Sequence, residues 1–287
     1  MTVGEVLNKA ESLCENAGKS THPARLLLMH LLQSESYELF AKLDEIMTPE
    51  LVAEFFAEFS RYVEKNEPIQ YIIGYEYFAG RNLFVDKGAL IPRPETEELV
   101  YEIIFILDEY FSVEQGYKKI NVADIGTGSG AIAVSVAKDV PTVEMIATDI
   151  SIDALTVAKR NAAEYELDIK FMVGDMLDPL ISAGIKLDVL LSNPPYIPAT
   201  ENVQAIVKDN EPNVALFGGD DGLFFYRKII ENAHKILNPN AYLIAFEIGF
   251  DQAERLVKLA KANFPNAKIW IKQDLQGRDR MLFIQKK

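Results

Sequence analysis

From about residue 97 to the C-terminus, short apolar runs alternate with amphipathic stretches, and this alternation constrains the fold more than any other feature of the chain. NVADI (121–125), VEMIATD (143–149), DIKFMV (168–173), KLDVLLS (186–192) and AYLIAFEIG (241–249) are apolar runs of strand length. Between them lie stretches with helical periodicity: AIAVSVAKD, DALTVAKRNAAEY, a segment near 223–237, and QAERLVKLAKANF. Apolar strands separated by helices read as an open, mostly parallel sheet with helices on both faces, an α/β fold. AKIWIKQD and RMLFIQK then close the chain as an antiparallel pair.

The first part of the chain has a different period. Val3, Leu7, Ala10, Cys14 and Ala17 fall on one helical stripe that Gly18 closes. Ser20-Thr21 and Pro23 start a second helix over ARLLLMHLL, and Thr48-Pro49-Glu50 starts another whose face is Val52, Phe55, Phe56, Phe59 and Val63. Aromatic residues at this spacing make a core, not a cofactor box. EYFAGRNLFV (76–85) alternates around Ala79-Gly80-Arg81-Asn82 and reads as a hairpin between two domains. A chain of 287 residues has room for two domains at about 150 residues each. The organisation expected is a helical domain over 1–73, a hairpin linker over 74–90 and an α/β domain over 91–287.

Charge and cysteine usage narrow the function. With 29 Lys and Arg against 43 Asp and Glu the net charge is −14, and neither part of the chain is basic. Clustered cations supply most of the affinity for a phosphate backbone, so unspecific gripping of nucleic acid is not expected. Cys14 is alone, which excludes an internal disulfide, and His22, His30 and His234 lack metal-ligand spacing. No apolar run approaches the ~18 residues of a membrane span, and Glu5 stands where a signal peptide would carry cations. A soluble cytoplasmic protein without a metal is expected.

Two loops carry the chemistry. Asp124-Ile-Gly-Thr-Gly-Ser-Gly130 sits where a strand turns into a helix, and its glycines (Gly126, Gly128, Gly130, around Thr127 and Ser129) let the backbone approach a ligand. The spacing is G-x-G-x-G, not the G-x-G-x-x-G of pyrophosphate-binding folds. The next strand ends in Asp149, about 20 residues on, where an acid can hold ribose hydroxyls. Ser151 is available to cap the following helix, which leaves Asp149 for a ligand. Asp175 and Met176 stand at the third strand's carboxyl edge, where an adenine could lie. Asn193-Pro194-Pro195-Tyr196 follows the fourth strand and, in a doubly wound sheet, lies beside the glycine loop. Two prolines fix the backbone and remove two N–H donors, leaving the Asn193 side-chain oxygen and the Pro194 carbonyl as rigid acceptors. Such acceptors suit a planar NH2 group, and Tyr196 offers a face for it to stack on.

Together these residues resemble class I, Rossmann-like methyltransferases that use S-adenosylmethionine and methylate an amide or exocyclic amine. More narrowly, the chain resembles the HemK/PrmC family of peptide-chain-release-factor N5-glutamine methyltransferases. The resemblance is carried by PIQYIIG (68–74), LIPRPETEELV (90–100), DIGTGSGAIA (124–133), SNPPYIP (192–198), EPNVALFGGDDGLFFYRKI (211–229), FEIG (246–249) and GRDRML (277–282). Met176 departs mildly from the aromatic that some members carry there. The resemblance implies that Gly126, Thr127, Gly128, Ser129, Gly130, Asp149, Asp175 and Met176 hold S-adenosylmethionine, with Asn193 lining both sites. It implies that Asn193, Pro194, Pro195 and Tyr196 hold the substrate amide, with Asn193, Pro194 and Tyr196 catalytic. The substrate implied is the glutamine of the Gly-Gly-Gln motif of class-1 peptide chain release factors. The helical domain over 1–73 would recognise the rest of that factor, and the enzyme would act as a monomer without membrane or direct nucleic-acid binding.

Three other readings share parts of this pattern. An adenine-N6 methyltransferase acting on DNA or RNA would use the same Asn-Pro-Pro-Tyr logic, but the −14 charge and the PRPETE and EP…GG segments count against it. A nicotinamide-linked dehydrogenase leaves Asn-Pro-Pro-Tyr without a role. A non-enzymatic relic of the fold would be expected to have lost the glycines, Asp149 or Asn193.

Overall fold

The helix-start signals at Pro23 and Thr48 act where they stand, whereas Thr21, expected as a cap, makes no side-chain capping bond. In the computed structural model, which describes residues 1–111 and 119–287, helix α1 (Val3–Asn16) opens on a capping box. The Thr2 hydroxyl accepts from the Glu5 N–H at 3.2 Å and the Glu5 carboxylate accepts from the Thr2 N–H at 2.9 Å. Helix α2 (His22–Leu31) carries Pro23 in its first turn, and a short α3 (Ser36–Ala41) follows. Helix α4 (Pro49–Lys65) is capped by Thr48 and stopped by Asn66 in the left-handed region, and α5 (Ile69–Ile73) ends at Gly74. The apolar stripes of α1, α2 and α4 meet in one core around Val6, Ala10, Cys14, Leu27, Leu28, Phe55 and Phe59. Cys14 is fully buried there, a small core residue as its stripe implies.

Strands β1 (Tyr75–Phe78) and β2 (Arg81–Phe84) form the hairpin. Its turn is only Ala79-Gly80, at φ 45° and 80°, because a two-residue turn with both positions left-handed matches the twist of its strands. Arg81 and Asn82, expected in the turn, belong to β2 instead. Helix α6 (Pro94–Tyr110) follows, and then the alternating part: β3 (Ile120–Ile125), α7 (Ala131–Asp139), β4 (Val143–Asp149), α8 (Ile152–Glu164), β5 (Lys170–Val173), α9 (Asp178–Ser182) and β6 (Val189–Ser192). Helix α10 (Ala205–Asn210), a 3₁₀ turn, α11 (Phe224–Asn232), β7 (Tyr242–Glu247), α12 (Ala253–Asn263), β8 (Lys268–Gln273) and β9 (Asp279–Lys286) complete the chain.

The residues divide into two units, Met1–Tyr75 with Val203–Asn210, and Glu76–Asn202 with Glu211–Lys287. Helix α10 thus belongs with the N-terminal helices: Ile206 packs on their core and the Asn210 side chain donates to the Asn66 carbonyl at 2.8 Å.

In the larger unit the sheet order is β5-β4-β3-β6-β7-β9-β8. The first five strands in that order are parallel, and β9 enters antiparallel between β7 and β8. Alternate residues of each strand face opposite cores. Val122, Val189, Leu191 and Leu243 pack with α6 and α7, while Ala123, Ile125, Leu190 and Ile244 pack with α11 and α12. The hairpin joins the first of these cores through Phe78 and Leu83. The sheet reverses direction of growth between β3 and β6, so the loops leaving those two strands open a crevice at its carboxyl edge.

Candidate active site

The loop after β3 is built to leave space. Gly126 and Thr127 both donate to the Thr148 carbonyl at 2.9 Å, which folds the loop back over β4. Gly126 and Gly128 lie at φ 71° and 56°, and a Cβ added at either would meet no atom within 4 Å. Bare backbone therefore faces open volume where a ligand can approach. Beneath the loop, Asp124 is fully buried. One of its oxygens accepts from the Thr127 hydroxyl at 2.6 Å, and the Ala133 N–H at the start of α7 also favours the carboxylate. Burial pushes its carboxyl up to about 7, with the Thr127 bond opposing that rise.

Asp149 ends β4 and points back at the loop. One oxygen accepts from the Gly128 N–H and the other from the Ser151 N–H, both at 2.9 Å. Burial raises its pKa while these backbone donors favour the carboxylate. The cap of α8 is Ser151, whose hydroxyl accepts from the Ala154 N–H at 3.2 Å, so Asp149 is not consumed as a helix cap. After β5, Met176 sits at φ 49° with a buried side chain, and Asp175 pairs with Lys228 on α11.

Asn193 leaves β6 next to this loop, where the Ser192 hydroxyl donates to the Ile125 carbonyl at 2.6 Å and fastens the two strand ends. The Asn193 side-chain NH2 donates to the Thr96 hydroxyl at 3.1 Å, and the Thr96 hydroxyl donates to a Glu247 oxygen at 2.6 Å. Glu247, at the end of β7, is buried; its other oxygen accepts from the Tyr196 hydroxyl at 3.4 Å. Burial raises the Glu247 pKa, opposed by Thr96, the nearby Arg280 guanidinium and Tyr196. No described residue donates to the Asn193 side-chain oxygen or to the Pro194 carbonyl.

Gln252 knits the surrounding segments. Its amide donates to the Tyr196 carbonyl at 2.9 Å and the Gly222 carbonyl at 3.3 Å, and its oxygen accepts from the Gly249 N–H at 3.0 Å. At the rim, Glu211 accepts from Arg93 at 2.6 Å and from the Ile91 N–H at 3.2 Å, tying the PRP segment to the EP segment.

These segments enclose a cavity of about 340 Å³. Gly126, Thr127, Gly128, Ser129, Asp149, Asp175, Met176, Asn193 and Pro195 all line it. Gly130, Pro194 and Tyr196 do not. Gly130 turns its α-carbon toward Ala158 on α8, where an added Cβ would come within 3.0 Å, and the Tyr196 ring packs against the α11–α12 core. Thr96, Ile91, Pro92, Arg93 and Val214 also line the cavity without having been assigned a role from sequence. The PRPETEE and EPNVA segments are the sequence signal for them; Glu247 has only the FEIG run and Gln252 has none.

Comparison with known proteins decides the family. Residues 5–74 match the family described as "PrmC N-terminal domain" and residues 106–211 match "Methyltransferase small domain". A release factor glutamine methyltransferase of Bacillus cereus is 39% identical over 287 residues, covering 99% of each chain. That of Bacillus subtilis is also 39% identical, covering 98% of this chain and 96% of the other. The chain belongs to the release factor glutamine methyltransferase family. Among solved structures, a methyltransferase from Pyrococcus furiosus, 19% identical with a TM-score of 0.50, covers 72% of this chain and 89% of that one and shares the fold.

As a member of this family the protein is an S-adenosylmethionine-dependent methyltransferase, and its residues fit that cofactor. Gly126 and Gly128, with open space above their backbone, and Asp149 line one cavity with room for such a ligand. The cavity's size lies in the range of small-molecule sites. Among the described residues no group of three or more His, Cys, Asp or Glu is placed to hold a metal, and no helix is long and apolar enough to cross a membrane.

Proposed function

We propose that the Asn193 side-chain oxygen and the Pro194 carbonyl hold the side-chain amide of a release-factor glutamine, in its Gly-Gly-Gln motif, for methylation at N5. The observation that carries this reading is the pair of unengaged acceptors on a backbone fixed by two prolines, beside a cavity with the cofactor's requirements. Gly126 to Ser129, Asp149, Asp175 and Met176 would hold S-adenosylmethionine, which when bound supplies an electrophilic methyl group on a sulfonium centre. Gly130 would act through the packing of α7 on α8.

An amide nitrogen is a weak nucleophile because its lone pair is delocalised into the carbonyl. Two acceptors on its N–H groups fix the plane of the amide and favour electron density at nitrogen as the new bond forms. Catalysis of this kind is positioning plus preorganised electrostatics. Tyr196, with its ring in the core and its hydroxyl on Glu247, holds the loop's shape. The helical unit would bind the body of the release factor, and glycines next to the glutamine would let it enter without side-chain obstruction. The enzyme would act as a cytoplasmic monomer, and the −14 charge supports the part of this reading in which it does not bind nucleic acid directly.

The test is labelled methyl transfer to release factor, DNA and RNA side by side, with mass spectrometry of the product. Methyl on the Gly-Gly-Gln glutamine is expected; methyl on another residue, or only on nucleic acid, overturns the reading. Asn193→Ala should lower kcat by about 100-fold or more in a folded protein, the scale of removing one preorganised electrostatic partner. Turnover at the wild-type rate would leave Asn-Pro-Pro-Tyr as a turn and nothing more.

A further inference from the structure

Carboxamide orientation is ambiguous in shape but not in chemistry: one end accepts hydrogen bonds and the other donates them. For Asn193 to grip an NH2 group its oxygen must face the substrate, and a half-turn of the side chain would present an NH2 to an NH2. Something must hold the side chain the right way round. We infer that Thr96 and Glu247 are positioning residues that set the orientation of the Asn193 carboxamide through a one-way chain of hydrogen bonds. This inference rests on the clamp role proposed for Asn193 above.

The direction of the chain follows from its far end. Glu247 accepts at both of its oxygens, from the Thr96 hydroxyl at 2.6 Å and the Tyr196 hydroxyl at 3.4 Å, so Thr96 gives its single proton to it. What Thr96 then turns toward Asn193 is a lone pair. At 3.1 Å that lone pair is satisfied by the Asn193 NH2 and would repel its oxygen. The Asn193 oxygen is thereby directed away from Thr96, and no described residue donates to it. Glu247 is itself fixed. Its second oxygen takes the Tyr196 hydroxyl, its backbone carbonyl takes the Tyr226 hydroxyl at 2.7 Å, and it lies within the field of the Arg280 guanidinium. Thr96 is held on the first turn of α6 and is itself buried. The three residues are 97 and 151 positions apart along the chain at their two contacts, and only the folded sheet edge brings them together.

Three substitutions read this chain. Thr96→Val keeps the shape and removes the hydroxyl, so kcat should fall about 10- to 100-fold, the range a small misplacement near reacting atoms produces. Glu247→Gln no longer compels Thr96 to donate: with its NH2 toward Thr96 the hydroxyl turns its proton to Asn193 and favours the wrong orientation, and with its oxygen there the chain is kept, so a smaller fall than for Thr96→Val is expected. Thr96→Ser retains the hydroxyl and should recover most of the activity. KM for S-adenosylmethionine should change little in all three, a split that a general loss of structure would not give. Folded Thr96→Val and Glu247→Gln variants with wild-type kcat would overturn the positioning role. Should either variant fail to fold, the wild-type enzyme decides: the Asn193 side-chain NH2 protons should exchange slowly by NMR, and fast exchange would refute the chain. The clamp reading is separable. An active Asn193→Ala enzyme sinks the clamp itself, whereas an inactive one beside fully active Thr96 and Glu247 variants sinks only this inference.

Discussion

Gly222 offers a quantitative test of how the segment over 211–229 serves the site. It lies at φ 73°, and a Cβ placed on it would come within 2.3 Å of the Tyr196 carbonyl oxygen and 2.6 Å of the Gln252 side-chain nitrogen. Gly222→Ala therefore carries three penalties. A left-handed alanine costs about 1–2 kcal/mol. Forcing a methyl group into a packed site costs about 1–3 kcal/mol. Displacing the Gln252 bond to the Tyr196 carbonyl costs about 1 kcal/mol more. The expected destabilisation is about 3–6 kcal/mol, with kcat reduced because Tyr196 belongs to the loop that carries Asn193. Gly184 provides the control: at φ 64° with nothing within 4 Å of an added Cβ, Gly184→Ala should suffer only the backbone penalty of about 1–2 kcal/mol. Denaturant unfolding of both variants isolates the steric part as their difference. Equal destabilisation, or a Gly222→Ala protein with wild-type stability and kcat, would refute the close approach.

Two further predictions concern the acids under and beside the glycine loop. Asp149→Ala should weaken S-adenosylmethionine binding by about 1.5–3 kcal/mol, the worth of a hydrogen bond to a charged group, and unchanged affinity by calorimetry in a folded variant would remove that role. Asp124 has a folded pKa of about 7, raised above its unfolded value, so it penalises the folded state only where the unfolded carboxyl is already ionised. Stability from this group is fully present below pH about 4 and is lost as pH rises to about 7, by about 4 kcal/mol at 1.36 kcal/mol per pKa unit. Asp124→Asn should flatten that part of the stability profile, and an unaltered profile would show that Asp124 does not titrate there.

The parallel sheet and the antiparallel ending were legible in the sequence because buried strands are continuous apolar runs whose ends are marked by Gly, Pro or Asp. The AIAVSVAKD and VEMIATD runs coincide with α7 (Ala131–Asp139) and β4 (Val143–Asp149). The hairpin turn is tighter than its sequence implies, because the left-handed position of Ala79 is a backbone state that its side chain does not advertise. Helices α3, α9 and α10 are six, five and six residues long, too short for a periodic pattern to emerge. The loop residues that reach the cavity were visible as motifs. The roles of Thr96, Glu247 and Gln252 were not, although Thr96 and Glu247 lie within the PRPETEE and FEIG runs, since each acts through a contact with a residue more than 50 positions away. A buried Glu at the end of an apolar strand is the one local anomaly that could have drawn attention to them.

The clamp proposed for Asn193 and Pro194 does not by itself choose a substrate. Two acceptors satisfy the NH2 of a glutamine amide and the NH2 of an adenine equally well, so discrimination has to lie outside the Asn193–Pro194 pair. An adenine delivered on a polynucleotide brings a string of phosphates with it, and binding such a chain draws chiefly on cationic contacts. This protein carries 43 acids against 29 Lys and Arg. Several of the cations in its larger unit are already committed: Arg93 to Glu211, Lys228 to Asp175, Arg227 to Asp221 and Arg280 to Asp274. A glutamine on a polypeptide brings no such charge, and its flanking backbone can be held by shape and hydrogen bonds alone. The same pocket chemistry thus serves a protein substrate where the surrounding field is acidic, and it is the field, not the clamp, that separates the two readings.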